Sequence, residues 1–556
     1  MLESGESFLN KSRLINRRMF IISSIKIMVF ISIVTRLFYL QISENIKYRS
    51  LSDKNRLREW KVTPQRGIIE DFFGEKIADN EQVFQLHMMP EDVPNMETLF
   101  FKLARIIDFS EKRKRALLKK IKKRKPWQPI IISNNLTWSE FVKANLFLHE
   151  IEGIKPVVSL ARKYSDDGAS SHILGYVSEV SAKDLQNNPL LRKINVPGIK
   201  TGKTGLEKSF NNSMIGFPGF QRYEVNAFGK RIKELKFTEG INGKNFRTTI
   251  DQEIQKYALE QLKDKSGSIC AMDIYTGNVV VMVSSPTFNP NKFVHGINNK
   301  DWNSLLNNKK KPLMNKALSG LYPPGSTIKP IVALSALENE IISSKLVVQC
   351  KGSIELYGQT YHCWKEKGHG YMRLREAIKQ SCDTYFYEVA RRLGVDKLSV
   401  TAKKFGLGKK MFSFLNEEKS GIVPNTKWKL NNIGRGWVLG ETLISGIGQG
   451  YYLTTPMQIC LMTAQLANGG YKIEPKVIYD RHALLPTIDA WRNKFSNNTK
   501  KNKLTKLYEK PENIKFVLDA MYGATNEPMG TSYKSRLTKQ KYIFAGKTGT
   551  SQIRTI

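Results

Sequence analysis

At 556 residues the chain is too long for a single hydrophobic core, and two or three folded units are expected. An apolar share of 41% excludes a disordered protein. The net charge of +38 would suit nucleic acid, but the basic residues are scattered, with short runs such as those at 309–311 and 500–503. No zinc-finger spacing, RNP-like motif or heptad-linked basic region accompanies them, so no nucleic-acid partner is expected.

At the amino end Lys11, Arg13, Arg17 and Arg18 precede an apolar run over residues 19–42. At helical rise that run spans roughly 36 Å, enough for a bilayer. The basic flank places the N-terminus in the cytoplasm, and the run is too long for a signal-peptide core and lacks a cleavage site after it. Lys26 inside the run must snorkel or face a partner. The expectation is a cytoplasmic tail over 1–18, a transmembrane helix over 19–42, and a catalytic ectodomain in the periplasm of a bacterial inner membrane. A secretory signal is the alternative and would leave the same ectodomain outside.

Residues 43–245 read as a first folded unit, with a helix over 96–107 and a solvated, highly charged helix and loop over 112–125. Gly198 to Thr204 imitates a phosphate-binding loop, but three residues separate its glycines where that loop needs four. The second unit starts near 246. There Ile250, Ile254, Tyr257, Ala258 and Leu262 follow a helical period behind the cap candidate Asp251. Residues 268–274 and 279–284 then flank Tyr275-Thr276-Gly277-Asn278, a β-hairpin pattern.

The strongest local signal is Tyr322-Pro-Pro-Gly-Ser326-Thr-Ile-Lys329-Pro330. Pro330 fits only in the first turn of a helix, so Ser326 falls at the helix start with Lys329 one turn on. A serine hydroxyl becomes a nucleophile when a neighbour takes its proton, and a lysine with a lowered pKa can do so. Alone, the pair could be an N-cap serine with a solvated lysine. Ser381-Cys382-Asp383 follows, and a short strand pattern over 542–546 runs into Lys547-Thr548-Gly549-Thr550. The order Ser-x-x-Lys, Ser-x-Asp, Lys-Thr-Gly is the three-part signature of serine acyl-transferases attacked by penicillin.

With these motifs the chain resembles the class B penicillin-binding proteins, and within them the elongation-specific penicillin-binding protein 2 branch. Further matches are Arg66-Gly67 through Asp71 and Gly74, His172-Ile-Leu-Gly175-Tyr176, Gly205-Leu206-Glu207, and Gly448-Gln449-Gly450 with Thr454-Thr455-Pro456. Asp383 replaces the more usual asparagine and suits that branch. The resemblance implies an α+β multidomain chain: an anchor, a mixed α/β pedestal of the dimerisation type over 43–245, and a penicillin-binding transpeptidase domain over 246–556 whose antiparallel sheet is flanked by helices.

The resemblance also implies the chemistry: a peptidoglycan D,D-transpeptidase that cross-links stem peptides during cell elongation. Ser326 would be the nucleophile and Lys329 its proton acceptor, helped by the positive charge of Lys547. Ser381 would relay a proton to the leaving amine, positioned by Asp383. Lys547 and Thr548 would hold the substrate carboxylate, with Gly549 beside them. The N–H groups of Ser326 and Thr550 would form the oxyanion hole. No cofactor is required for that chemistry. The partners implied are peptidoglycan stem peptides, β-lactams, the membrane, an elongation glycosyltransferase and associated cell-shape proteins. The large pedestal and the single anchor argue against a β-lactamase, a carboxypeptidase or a β-lactam sensor on the same fold.

Five cysteines remain. Cys270 and Cys460 fall at core positions of a strand and a helix. Cys350, Cys363, His369 and Cys382 form a complete donor set for a tetrahedral, structural zinc. A Cys350–Cys363 disulfide, or unconnected buried thiols beside a surface histidine, are the alternatives to it. The sequence ends at Ile556, and members of the resembled family continue beyond the Lys-Thr-Gly strand. A transpeptidase domain lacking its last strands and helix is therefore expected, with residues 542–550 lacking a ladder partner. The alternative reading is a catalytically impaired, truncated scaffold of the elongation complex.

Overall fold

The computed structural model describes residues 4–45, 57–107, 109–122, 126, 129–147, 150–166, 168–194, 196, 198–225, 231–479 and 505–551. The basic run at 500–503 lies outside the described residues.

One compact unit comprises Met1–Pro64 and Phe217–Ile241. Its helix Ser4–Phe38 continues as a π-helical turn, Tyr39–Ser43. The stretch Arg17–Ile42 is long and apolar enough to cross a membrane. Its apolar side chains, Phe20, Met28 and Phe30 among them, point outward all round, as lipid contact requires. An antiparallel sheet of Leu57–Val62, Gly219–Val225 and Arg231–Thr238 completes this unit.

The other unit comprises Gln65–Gly216 and Asn242–Ile556. Its first sheet is organised around the long strand Lys76–Met88, which pairs with Ile69–Glu70, Ile130–Leu136 and Ile154–Tyr164. Helices Met96–Leu103 and Glu111–Lys122 cover it around Leu86, Leu99, Leu103 and Ile130. The first helix stops at Leu103 rather than running to 107, because the next amides of Arg105 and Ile106 fold back on Lys102 and Leu103 in tight turns. Beneath the sheet lies a buried ionic node. Glu207 is fully enclosed and pairs with Arg66 at 2.6 Å and Arg162 at 2.7 Å.

Asp251 caps the helix Gln252–Gln261 by accepting from the Ile254 amide at 3.1 Å, as its sequence period implies. The helix packs Ala258 against Val281 and Val283 of the hairpin Gly267–Met272 and Val279–Ser285. A helical core stands beside it. The helix Lys329–Glu338 is buried along almost its whole length, among Asp383–Leu393, Val395–Lys404 and Pro511–Asn526.

The strand pattern over 542–546 is not realised, whereas the expected lack of a ladder partner for 542–550 is found among the described residues. Residues 542–546 form no strand, and the chain runs irregularly from 543 to 550. Among the described residues no strand pairs with this stretch. Helix Pro511–Asn526 holds it instead: the Gly546 amide donates to Met521 O at 3.2 Å, and Asn526 Nδ2 to Phe544 O at 2.8 Å. Backbone groups that have no ladder take side-chain and helix-end partners.

Candidate functional site

Three chain segments meet at the end of the buried helix. The Pro323-Pro324-Gly325 turn delivers Ser326 into a 3-10 turn, Gly325–Ile328, which leads into the α-helix at Lys329 with Pro330 in its first turn. Gly325 has φ +56°, and a Cβ there would meet Thr550 O at 2.6 Å. A Cβ on Gly549 would meet Thr327 Cγ2 at 2.6 Å. Both glycines are needed for the Lys547-to-Thr550 segment to dock against the serine turn. Thus Thr548, Gly549 and Thr550 reach the site without the expected strand.

Lys329 is fully buried. Its Nζ donates to Asp383 Oδ1 at 2.8 Å, Ser381 O at 2.8 Å and Ser381 Oγ at 3.2 Å. Among the described residues Nζ makes no hydrogen bond to Ser326 Oγ; the Lys329 backbone amide donates to Ser326 O instead. Burial pushes the Lys329 ammonium down from its ordinary pKa, against the raising pull of Asp383. Asp383 opens the helix Asp383–Leu393, where a carboxylate is stabilised by the helix end. Ser381, just before it, is held at φ +55°, a left-handed conformation that costs a non-glycine residue about 1–3 kcal/mol.

Lys547 Nζ donates to Ser381 Oγ at 2.8 Å and to Thr548 O at 2.8 Å. Burial, then the nearby Lys329 charge, lowers its pKa to about 7. Ser381 Oγ therefore lies between two amines whose pKa values are both pushed down by burial. Ser326, Lys329, Ser381, Asp383 and Lys547 are all brought into this one region. Two residues the sequence reading passed over also belong to it. Trp364 hydrogen-bonds the 380–383 segment, and Thr531 Oγ1 accepts from Thr548 Oγ1 at 2.9 Å. A tryptophan in a charged loop between Cys363 and His369 was the available signal for the first; Thr531 carried none.

The four residues Cys350, Cys363, His369 and Cys382 converge directly behind Ser381. Their donor atoms all lie within 4.8 Å of one another. His369 Nδ1 is 3.5 Å from Cys350 Sγ and 3.6 Å from Cys363 Sγ. Hydrogen bonding to Cys382 pulls the Cys363 thiol down to about 2, against burial, and the neighbouring thiols raise His369 although burial opposes this. All five cysteines are free thiols, so the Cys350–Cys363 disulfide is not formed. Cys270 and Cys460 are half-buried and packed against the core, and both line a groove of about 590 Å³ beside Tyr322 and Thr327.

Comparison with known proteins gives two family matches. Residues 61–248 match the penicillin-binding protein dimerisation domain, and residues 267–555 match the penicillin-binding protein transpeptidase domain. The chain is 32% identical to the peptidoglycan D,D-transpeptidase MrdA of Acinetobacter baumannii over 98% of its own length and 80% of that protein. It is 32% identical to MrdA of Escherichia coli, over 94% of this chain and 82% of that one. Among solved structures, the complex of penicillin-binding protein PBP2 with MreC from Helicobacter pylori matches with a TM-score of 0.77 at 30% identity, covering 89% of this chain and 90% of that one.

Proposed function

Since this chain belongs to the penicillin-binding proteins and is a peptidoglycan D,D-transpeptidase of their elongation-specific branch, we propose that its reaction runs through a Ser326 acyl-enzyme in the site described above. The observation that carries this reading is the convergence of Lys329 and Lys547 on Ser381 Oγ, next to the serine turn. Lys329, once in the neutral form that its burial favours, takes the Ser326 proton as Oγ attacks the penultimate D-alanine carbonyl of a stem peptide. The Ser326 and Thr550 amides receive the oxyanion, whose loss of one donor typically costs about 10²–10³ in rate. As the C–N bond breaks, Ser381 passes a proton from the lysine pair to the departing D-alanine amine. Lys547 and Thr548 hold the terminal carboxylate, and Asp383 keeps Lys329 and Ser381 in register. An amine of a second stem peptide then takes the acyl group and releases Ser326. β-Lactams enter by the same first step.

The gathered site favours an enzyme over a bare scaffold. Peptide mapping after reaction with a penicillin tests it: the acyl adduct is expected on Ser326, and an adduct elsewhere, or none, would overturn the assignment.

The same reading divides the chain into a cytoplasmic tail (1–18), a transmembrane helix (19–42), a pedestal (43–245) and a transpeptidase domain (246–556), with the ectodomain periplasmic. A cell-shape protein of the MreC kind is its proposed partner, by likeness to the Helicobacter pylori complex, together with an elongation glycosyltransferase.

The cysteine–histidine cluster fits a zinc ion. Three thiols and an imidazole are a full tetrahedral set, and the free thiols already face the same His369 nitrogen. Held by Cys350, Cys363, His369 and Cys382, zinc would supply a structural cross-link between the strand Val347–Cys350, the loop carrying Cys363 and His369, and the start of the helix carrying Asp383. About one zinc per chain is expected by metal analysis of protein purified without added metal. Chelation should lower the melting temperature; stoichiometrically metal-free, unchanged protein would refute the site.

A further inference from the structure

We propose that Trp364 is a positioning residue for the acylation step, acting through its indole N–H on the backbone of Ser381. The inference rests on the reading of Ser326 as nucleophile and Ser381 as proton relay. Trp364 is a large aromatic residue that remains 59% exposed, so packing does not explain its placement. Its polar groups do. The indole Nε1 donates to Gln380 O at 3.1 Å and to Ser381 O at 3.1 Å, while its backbone amide donates to Asp383 Oδ2 at 2.9 Å. One residue thus bridges both sides of Cys382. The ring is set edge-on to His369 at 5.3 Å, which fixes its orientation.

The consequence follows from what else uses those acceptors. Ser381 O also receives Lys329 Nζ at 2.8 Å, and Asp383 Oδ1 receives it at 2.8 Å. Ser381 itself sits at φ +55°, a conformation that must be held from outside. With the indole N–H in place, the Ser381 carbonyl is shared between two donors, its peptide is pinned, and Oγ stays between the two lysines. Without it, the carbonyl is left to the Lys329 ammonium alone. That holds Lys329 in its protonated form and frees the Ser381 peptide to relax, moving Oγ off the relay position.

The test isolates one atom. In the full chain in detergent, Trp364 is replaced by benzothienylalanine, which puts sulfur where the N–H stands, and by 7-azatryptophan, which keeps the N–H. Penicillin acylation is resolved into the dissociation constant, the acylation rate constant and the fraction of chains labelled. The benzothienyl variant should lose about tenfold in the acylation rate constant alone. The azatryptophan variant should match the unmodified chain. An acylation rate within twofold for the benzothienyl variant overturns the proposal. So does a fall in the labelled fraction at unchanged rate, which marks a folding role. If the unmodified chain acylates at a residue other than Ser326, the underlying reading fails, and this inference with it, whatever the variants do.

Discussion

Lys329→Met should lower the rate of penicillin acylation by about 10²- to 10⁴-fold, the range expected for loss of a general base. Ser326 would keep its turn, since the Pro324-Gly325 geometry and Pro330 set it independently of the lysine side chain. Removing the ammonium also leaves Asp383, whose side chain is only 12% exposed, with the Trp364 amide as its remaining strong donor. Breaking a buried pair in this way costs about 3–5 kcal/mol, so the single variant should melt earlier as well as react slowly. The double variant Lys329→Met, Asp383→Asn separates the two effects. It should recover most of the melting temperature, because an amide needs no counter-charge, and remain as slow as the single variant. A single variant that acylates within tenfold of the unmodified chain would show that another group takes the Ser326 proton.

The catalytic motifs were legible because each is short, ordered, and fixed by local chemistry. Pro330 dictates where the helix can begin, and thereby where Ser326 and Lys329 fall. The Asp251 cap and the Tyr275-to-Asn278 turn of the hairpin were equally local. The 542–546 segment was not, because a strand exists only by pairing, and a short apolar run says nothing about a partner. The helix over 96–107 failed at its end for a related reason: tight turns after Leu103 cost no apolar contact, since Ile106 and Ile107 remain buried outside the helix. Side-chain hydrogen bonds across distant segments were the least visible. Nothing in the order of residues 363–369 announces that the Trp364 indole reaches two carbonyls at 380 and 381. The cysteine set was legible as a donor list, but its convergence was not, because the spacing matches no short metal-binding loop.

Glu207→Gln should destabilise the unit that holds the node by about 3–5 kcal/mol, a fall of roughly 10 °C in the midpoint of its melting transition. The residue came to notice only as part of a Gly-Leu-Glu motif, and the structure shows what the carboxylate does. Its two oxygens accept from Arg66 Nε at 2.7 Å and Arg162 Nε at 2.7 Å, and the Tyr164 hydroxyl adds a bond at 3.3 Å. Arg162 is 1% exposed and Arg66 9%. Neutralising the glutamate therefore leaves two enclosed guanidinium charges without the carboxylate they bond, a larger penalty than the lost hydrogen bonds. The dependence on pH has a fixed sign. Burial alone would raise the Glu207 carboxyl, but Arg162 and Arg66 outweigh it and hold the carboxyl below its ordinary value of 4.5. A group depressed on folding contributes fully above its unfolded pKa, and that contribution is lost as pH falls through the folded one. The gap in melting temperature between the unmodified chain and Glu207→Gln should thus be widest near neutral pH and narrow only below about pH 4.5. Calorimetry across that range decides it. A gap that is small at pH 7, or that widens on acidification, would mean the arginines are stabilised by something other than this carboxylate.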